Sequence, residues 1–96
     1  MQTIILDFDG VIHGYDSGWQ GIDVCNDPPV PGVKEAVEAL RKIYRVVVYS
    51  TRCSEEAGIK AIEKYLDDHD IVVDAVVDRK VPASALIADR DWETTR

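Results

Sequence analysis

A chain of 96 residues has room for one domain, 1–96, and its 46% apolar composition is enough for one modest core and too much for a disordered chain. The formal charge of -7, with no cluster of Lys and Arg, excludes the electrostatic footprint that duplex nucleic acid or an acidic membrane face requires. A small or accessible phosphorylated molecule stays compatible with this charge if a metal ion and one or two basic groups mask the local field.

In chain order, "TIILDF" (3–8) is a short apolar run without helical period, bounded by Asp and Gly, and reads as a buried parallel strand. It is far shorter than the roughly 20 apolar residues of a membrane span and has no charged leader before it, so the expected setting is cytoplasmic. The strand ends on Asp7 and Asp9, whose spacing of two puts like charges on one side if the strand continues. Such a pair calls for a cationic partner. Gly10 suits a tight turn whose backbone N–H groups face a phosphate.

The segment "HGYDSGWQGIDVCNDPPVPG" is too rich in Gly, Asp, Asn and Pro for a helix and reads as a flap over about 12–30. Within it His13 is either a hydrogen-bonded structural residue or a leaving-group contact. Tyr15 and Trp19 either pack the flap onto the sheet or stack on a substrate. Pro31 is expected in the first turn of a helix that aligns Val33, Val37, Leu40 and Tyr44. "RVVVYST" (45–51) is a second buried strand ending in Ser50 and Thr51. Arg52 then contacts either a substrate phosphate or a carboxylate such as Glu55 or Glu56.

Ser54 followed by Glu55 and Glu56 signals a second helix, with Ile59, Ile62 and Leu66 in register. "IVVDAVVD" (71–78) and "SALIADRD" (84–91) complete the set as third and fourth strands. Cys25 and Cys53 lack C-x-x-C spacing and read as ordinary reduced cysteines. Strand, helix, strand, helix, strand, strand implies an α/β fold: a Rossmann-like parallel sheet of about four strands, flanked by helices, with a flap after the first strand and no cap domain. Ligands of such sheets bind beyond the carboxyl ends of the strands, where Asp7, Asp9, Ser50, Thr51, Lys80 and Asp89 all fall.

"DFDGV", "VVVYSTR", Lys80 in "RKVPA" and the acidic "LIADRD", in this order, resemble the haloacid dehalogenase superfamily of phosphohydrolases. "DFDGVIH", the Trp-containing flap, "PPVPG" and "YSTR" are similar to a compact phage and bacterial group without a large cap. The resemblance implies a Mg²⁺-dependent phosphomonoesterase with Asp7 as nucleophile, forming an aspartyl phosphate, and Asp9 as general acid and then base. It further implies Ser50, Thr51, Gly10, Arg52 and Lys80 as phosphate contacts, and Asp7, Asp9 (through its backbone carbonyl) and Asp89 as metal ligands. One departure stands out: Ala88 precedes Asp89 where the group carries two acidic residues. Alternation puts Asp89 and Asp91 on one side and Ala88 on the other, which favours Asp89 as the ligand. The competing readings are a catalytically impaired phosphate-binding protein and a receiver-like phosphoacceptor.

Overall fold

The computed structural model describes residues 2–79 and the backbone of 85–87. Four strands, β1 (Gln2–Asp7), β2 (Tyr44–Tyr49), β3 (Ala75–Val77) and β4 (Ala85–Ile87), form one parallel sheet in the order β3-β2-β1-β4. Helix α1 (Val33–Arg41) connects β1 to β2, and α2 (Glu56–Asp68) connects β2 to β3. The chain steps outward from β1 to β3, then crosses to the other side of β1 to place β4. That reversal beside β1 is a topological switch point, where open parallel sheets place their ligands.

The two inner strands carry the core. Ile4, Leu6, Val46 and Val48 pack with Phe8, Val11, Ile12, Val33, Val37, Ile62 and Leu66 in one apolar cluster, while Ile5 and Val47 are buried on the alternate face. Each such side chain, removed from water, contributes about 1.5–3 kcal/mol. Exposed helix pairs such as Lys60–Glu56 and Lys64–Asp68 add little by comparison. Apolar burial in β1 and β2 therefore decides where the sheet's carboxyl edge lies. The register sets Asp7 beside Tyr49, one residue before Ser50, with Tyr49 beside Val77.

Several elements differ from the sequence expectation for local reasons. Pro31 lies ahead of α1, which starts after Gly32, an N-cap at φ 85° that few side-chain-bearing residues adopt. Tyr44 opens β2 instead of closing the helix. Ser54 belongs to a 3-10 helix, Thr51–Ser54, and Glu55 caps α2 without a side-chain hydrogen bond. The third strand shrinks from 71–78 to Ala75–Val77 because Asp74 replaces a ladder carbonyl. Its carboxylate accepts the Val46 N–H at 2.7 Å and an Arg41 N–H at 3.1 Å, while its own amide donates to the Val46 carbonyl at 2.8 Å. Among the described residues no helix is long and apolar enough to cross a membrane.

At Gly58 a Cβ would overlap the Arg52 carbonyl, so the first turn of α2 lies directly on the backbone of the 3-10 helix. Gly58→Ala is expected to cost about 1–3 kcal/mol, as overpacking does, with the largest chemical-shift changes around Arg52. Hydrogen bonds from Arg41 and Val46 hold the Asp74 carboxyl below the ordinary carboxylate range. A depressed folded value means that its stabilisation is complete above the unfolded value of about 4 and is lost as pH falls through the folded one. Asp74→Ala, which also leaves the Val46 N–H without its acceptor, should lower unfolding free energy by about 1–3 kcal/mol at pH 7. Denaturant titrations at pH 7 and pH 3 should show a smaller difference at the lower pH.

Candidate active site

β1 stops at Asp7, half-buried at the carboxyl edge, and the chain turns at once. The amides of Val11, Ile12 and His13 all fold back onto the Phe8 carbonyl, at 3.3, 2.9 and 2.9 Å, and Gly10 donates to the His13 carbonyl at 2.7 Å. Gly10, at φ 82°, makes this reversal possible. Its N–H is thereby turned into the loop, which corrects the expectation that it faces a phosphate. The tight turn also carries Asp9 off the strand, so strand alternation does not govern where its side chain goes.

Asp9 meets N–H groups from two side chains. Arg52 donates Nε to Oδ2 at 2.8 Å and Nη2 to Oδ1 at 3.1 Å, a bidentate fork, and His13 Nδ1 lies 2.8 Å from Oδ1. The Asp27 amide donates to His13 Nε2 at 3.1 Å, which places the ring proton on Nδ1 and makes His13 a donor to Asp9. His13 is buried, stacked on Phe8 at 5.4 Å, and edge-on to Tyr65 at 5.3 Å. It is a structural member of the flap base, the first of its two sequence readings.

Arg52 has no exposed surface at all. Besides Asp9, its Nη1 donates to the Gly21 carbonyl at 2.7 Å and the Ile22 carbonyl at 2.9 Å, and the Trp19 ring lies over the guanidinium at 4.7 Å. Burial alone would depress its pKa, yet the hydrogen bonds and charge of Asp9 outweigh burial and the net shift is upward. The structure thus places Arg52 on a carboxylate, as one sequence reading had it, but the partner is Asp9 rather than Glu55 or Glu56. Four of its donors are engaged inside the protein, so it is not a phosphate contact as folded here. Burial likewise raises the thiol of Cys25, which lies near Arg52 and Asp9, and that of Cys53.

Ser50 follows β2 and is buried; its Oγ accepts the Arg52 N–H at 3.1 Å and caps the 3-10 helix. A hydroxyl that accepts in this way keeps its own O–H to donate elsewhere. Thr51 is exposed at the same edge. Lys80, Ala88, Asp89 and Asp91 lie outside the described residues, and among the described residues no group of three metal-ligating side chains occurs.

The flap is fastened at Asp27, which the sequence did not single out. Ser17 donates its amide and hydroxyl to the Asp27 carboxylate at 2.9 and 2.6 Å, and the Tyr65 hydroxyl donates to the Asp27 carbonyl at 2.8 Å. The Ser17 bonds hold the Asp27 carboxyl below its ordinary range, and burial pushes the Tyr65 phenol upward. No local pattern announces a contact between residues 38 positions apart, whereas the His13–Asp9 contact, four apart, lies within the quoted "DFDGVIH". Tyr65→Phe removes one flap fastener. It should cost about 0.5–1.5 kcal/mol in denaturant unfolding and speed amide exchange across 14–28.

The crystal structure of D,D-heptose 1.7-bisphosphate phosphatase from B. bronchiseptica, complexed with magnesium and phosphate, is similar to this chain. The match has a TM-score of 0.55 and 27% identity, over 79% of this chain and 48% of that one. The chain thus spans about half the length of that enzyme. No family model and no curated protein matches the chain. With the parallel sheet, the crossover beside β1 and the flap after it, the likeness shows a Rossmann-like fold of the haloacid dehalogenase type.

Proposed function

We propose that the chain is a Mg²⁺-dependent phosphomonoester hydrolase that works through an aspartyl phosphate on Asp7, and that it belongs with the compact group lacking a large cap domain. The observation that carries this reading is the carboxyl edge itself. The parallel register brings Asp7 and Ser50, from neighbouring inner strands, together beside the crossover, and a magnesium- and phosphate-binding phosphatase shares the fold.

An aspartate attacking a phosphate monoester brings two anions together. Asp7 and the Asp9 backbone carbonyl, with Asp89 from the fourth motif, would hold Mg²⁺, and this oxygen-only donor set suits that ion. The Asp9 side-chain oxygens are already engaged by Arg52 and His13. When bound, the ion screens the charge that develops on the transferring phosphoryl group. Asp7 supplies the attacking oxygen and splits one difficult displacement into two. Ser50 donates its O–H to a phosphoryl oxygen, with Thr51 beside it, and Lys80 adds a compact positive charge. To act as the acid, Asp9 must first take up a proton from solvent and release one of its Arg52 or His13 bonds; it then gives that proton to the leaving oxygen and later takes one from water. The substrate is a small or accessible phosphorylated molecule, since the flap is the cover that the described residues provide.

A second reading, a catalytically impaired phosphate binder, is favoured by Ala88 in place of an acidic residue. Hydrolysis of p-nitrophenyl phosphate, with Mg²⁺ and with excess chelator, separates the two. The hydrolase reading expects Mg²⁺-dependent turnover that falls to background in Asp7→Asn and by about 10²–10⁴-fold in Asp9→Asn. A wild type without turnover, restored by Ala88→Asp, establishes the impaired form instead.

A further inference from the structure

Trp19 is 53% exposed, although an indole carries large apolar faces that are ordinarily buried. The ring is nevertheless held in place. Its centroid lies 4.7 Å from Arg52 Cζ, and Nη1 of the same arginine binds the carbonyls of Gly21 and Ile22, two and three residues further on. Gly18 at φ 73° and Gly21 at φ 136° bracket it in backbone conformations that residues with side chains rarely adopt. Tyr15, at φ 63°, holds a left-handed conformation that a bulky residue keeps only where its surroundings impose it. One face of the indole is thus pressed onto a buried cation while much of the ring meets water.

The ring also stands close to the carboxyl edge. Arg52 follows Ser50 and Thr51 at the end of β2, and its guanidinium joins the Trp19 ring to Asp9, whose Cα is at most about 7 Å of chain from that of Asp7. A flat apolar face that is already fixed loses little freedom when a second π system is laid on it. Because its inner face holds a guanidinium, the outer face suits a neutral ring and not a further cation. We propose that this open face of Trp19 is a stacking subsite for the leaving group, and that the substrate is a nucleoside monophosphate. Every nucleobase presents a neutral π face, and its sugar supplies the spacer between a phosphate at Asp7 and Ser50 and a base on the flap. This inference rests on the hydrolase reading of the Asp7 edge.

The test compares adenosine 5′-monophosphate with ribose 5-phosphate, which differ in the base alone. In the full chain with Mg²⁺, kcat/KM should favour the nucleotide by about tenfold or more, the size of one base stacked on an aromatic side chain. Trp19→Leu should bring that ratio close to one by raising KM for the nucleotide, with kcat and the ribose 5-phosphate reaction unchanged. Trp19→Phe keeps a smaller π face and should keep part of the preference. A binding measurement stands beside the kinetics and carries the test if Trp19→Leu does not fold. Trp92→Phe leaves Trp19 as the sole tryptophan, and Asp7→Asn added to it prevents turnover. Adenosine 5′-monophosphate should quench the emission of this double variant saturably, and ribose 5-phosphate should not.

A wild type that hydrolyses both esters equally well, or a Trp19→Leu protein that slows both alike, makes the indole a cover for Arg52 and nothing more. Either result overturns the subsite while leaving the hydrolase reading intact, as does emission that the nucleotide does not quench. A wild type inactive on both esters and on p-nitrophenyl phosphate overturns the hydrolase reading and the substrate assignment with it, whereas saturable quenching in that case still establishes the stacking face.

Discussion

A guanidinium with no solvent exposure must find its counter-charge and its acceptors inside the protein, and Arg52 finds them in Asp9 and in two carbonyls of the flap. Transfer of an unpaired ion into such a place costs many kcal/mol, more than a small domain's whole stability. The pairing is therefore a condition of the fold. It dictates that Asp9 leaves the strand, that the flap returns close enough for Gly21 and Ile22 to reach Nη1, and that the end of β2 turns sharply on Ser50. Gly58 is the counterpart on the far side, where α2 begins against the Arg52 backbone.

This arrangement also accounts for a flap of some twenty residues that is ordered with neither helix nor strand. Its base is closed by Gly14 on the Pro28 carbonyl and Val30 on the Ile12 carbonyl, and its interior by His13, Asp27, Ser17 and Tyr65. Phe8 stacked on His13, with Tyr65 edge-on to both, supplies the apolar contact that polar bonds alone would not. The loop is built from pieces of β1, the flap and α2 at once. Its geometry is thus coupled to the carboxyl edge of the sheet, where Asp7 and Ser50 stand.

Asp7 and Asp9 are held in different ways. Asp7 ends an inner strand flanked by neighbours on both sides, its position set by apolar burial in Ile4–Leu6 and by the register with β2. Asp9 is set instead by polar contacts from Arg52 and His13. One carboxylate is thus positioned by the core and the other by a buried charge pair.

The chain order of strands and helices, the parallel α/β class and the gathering of Asp7, Asp9 and Ser50 at one edge are legible in the sequence. They follow from runs of apolar residues and their punctuation, which act over a few neighbours. Helix and strand limits were less legible at Gly32, Tyr44, Ser54 and Asp74, where a cap or a single side-chain bond overrode the local pattern. The partner of Arg52 and the fastening of the flap by Asp27 and Tyr65 were decided by tertiary structure alone. Both depend on contacts between residues far apart in the chain, the first on a buried charge whose neighbours exist only once the core around it has closed, whereas the Gly10 amide is turned by a local reversal onto His13, three residues on.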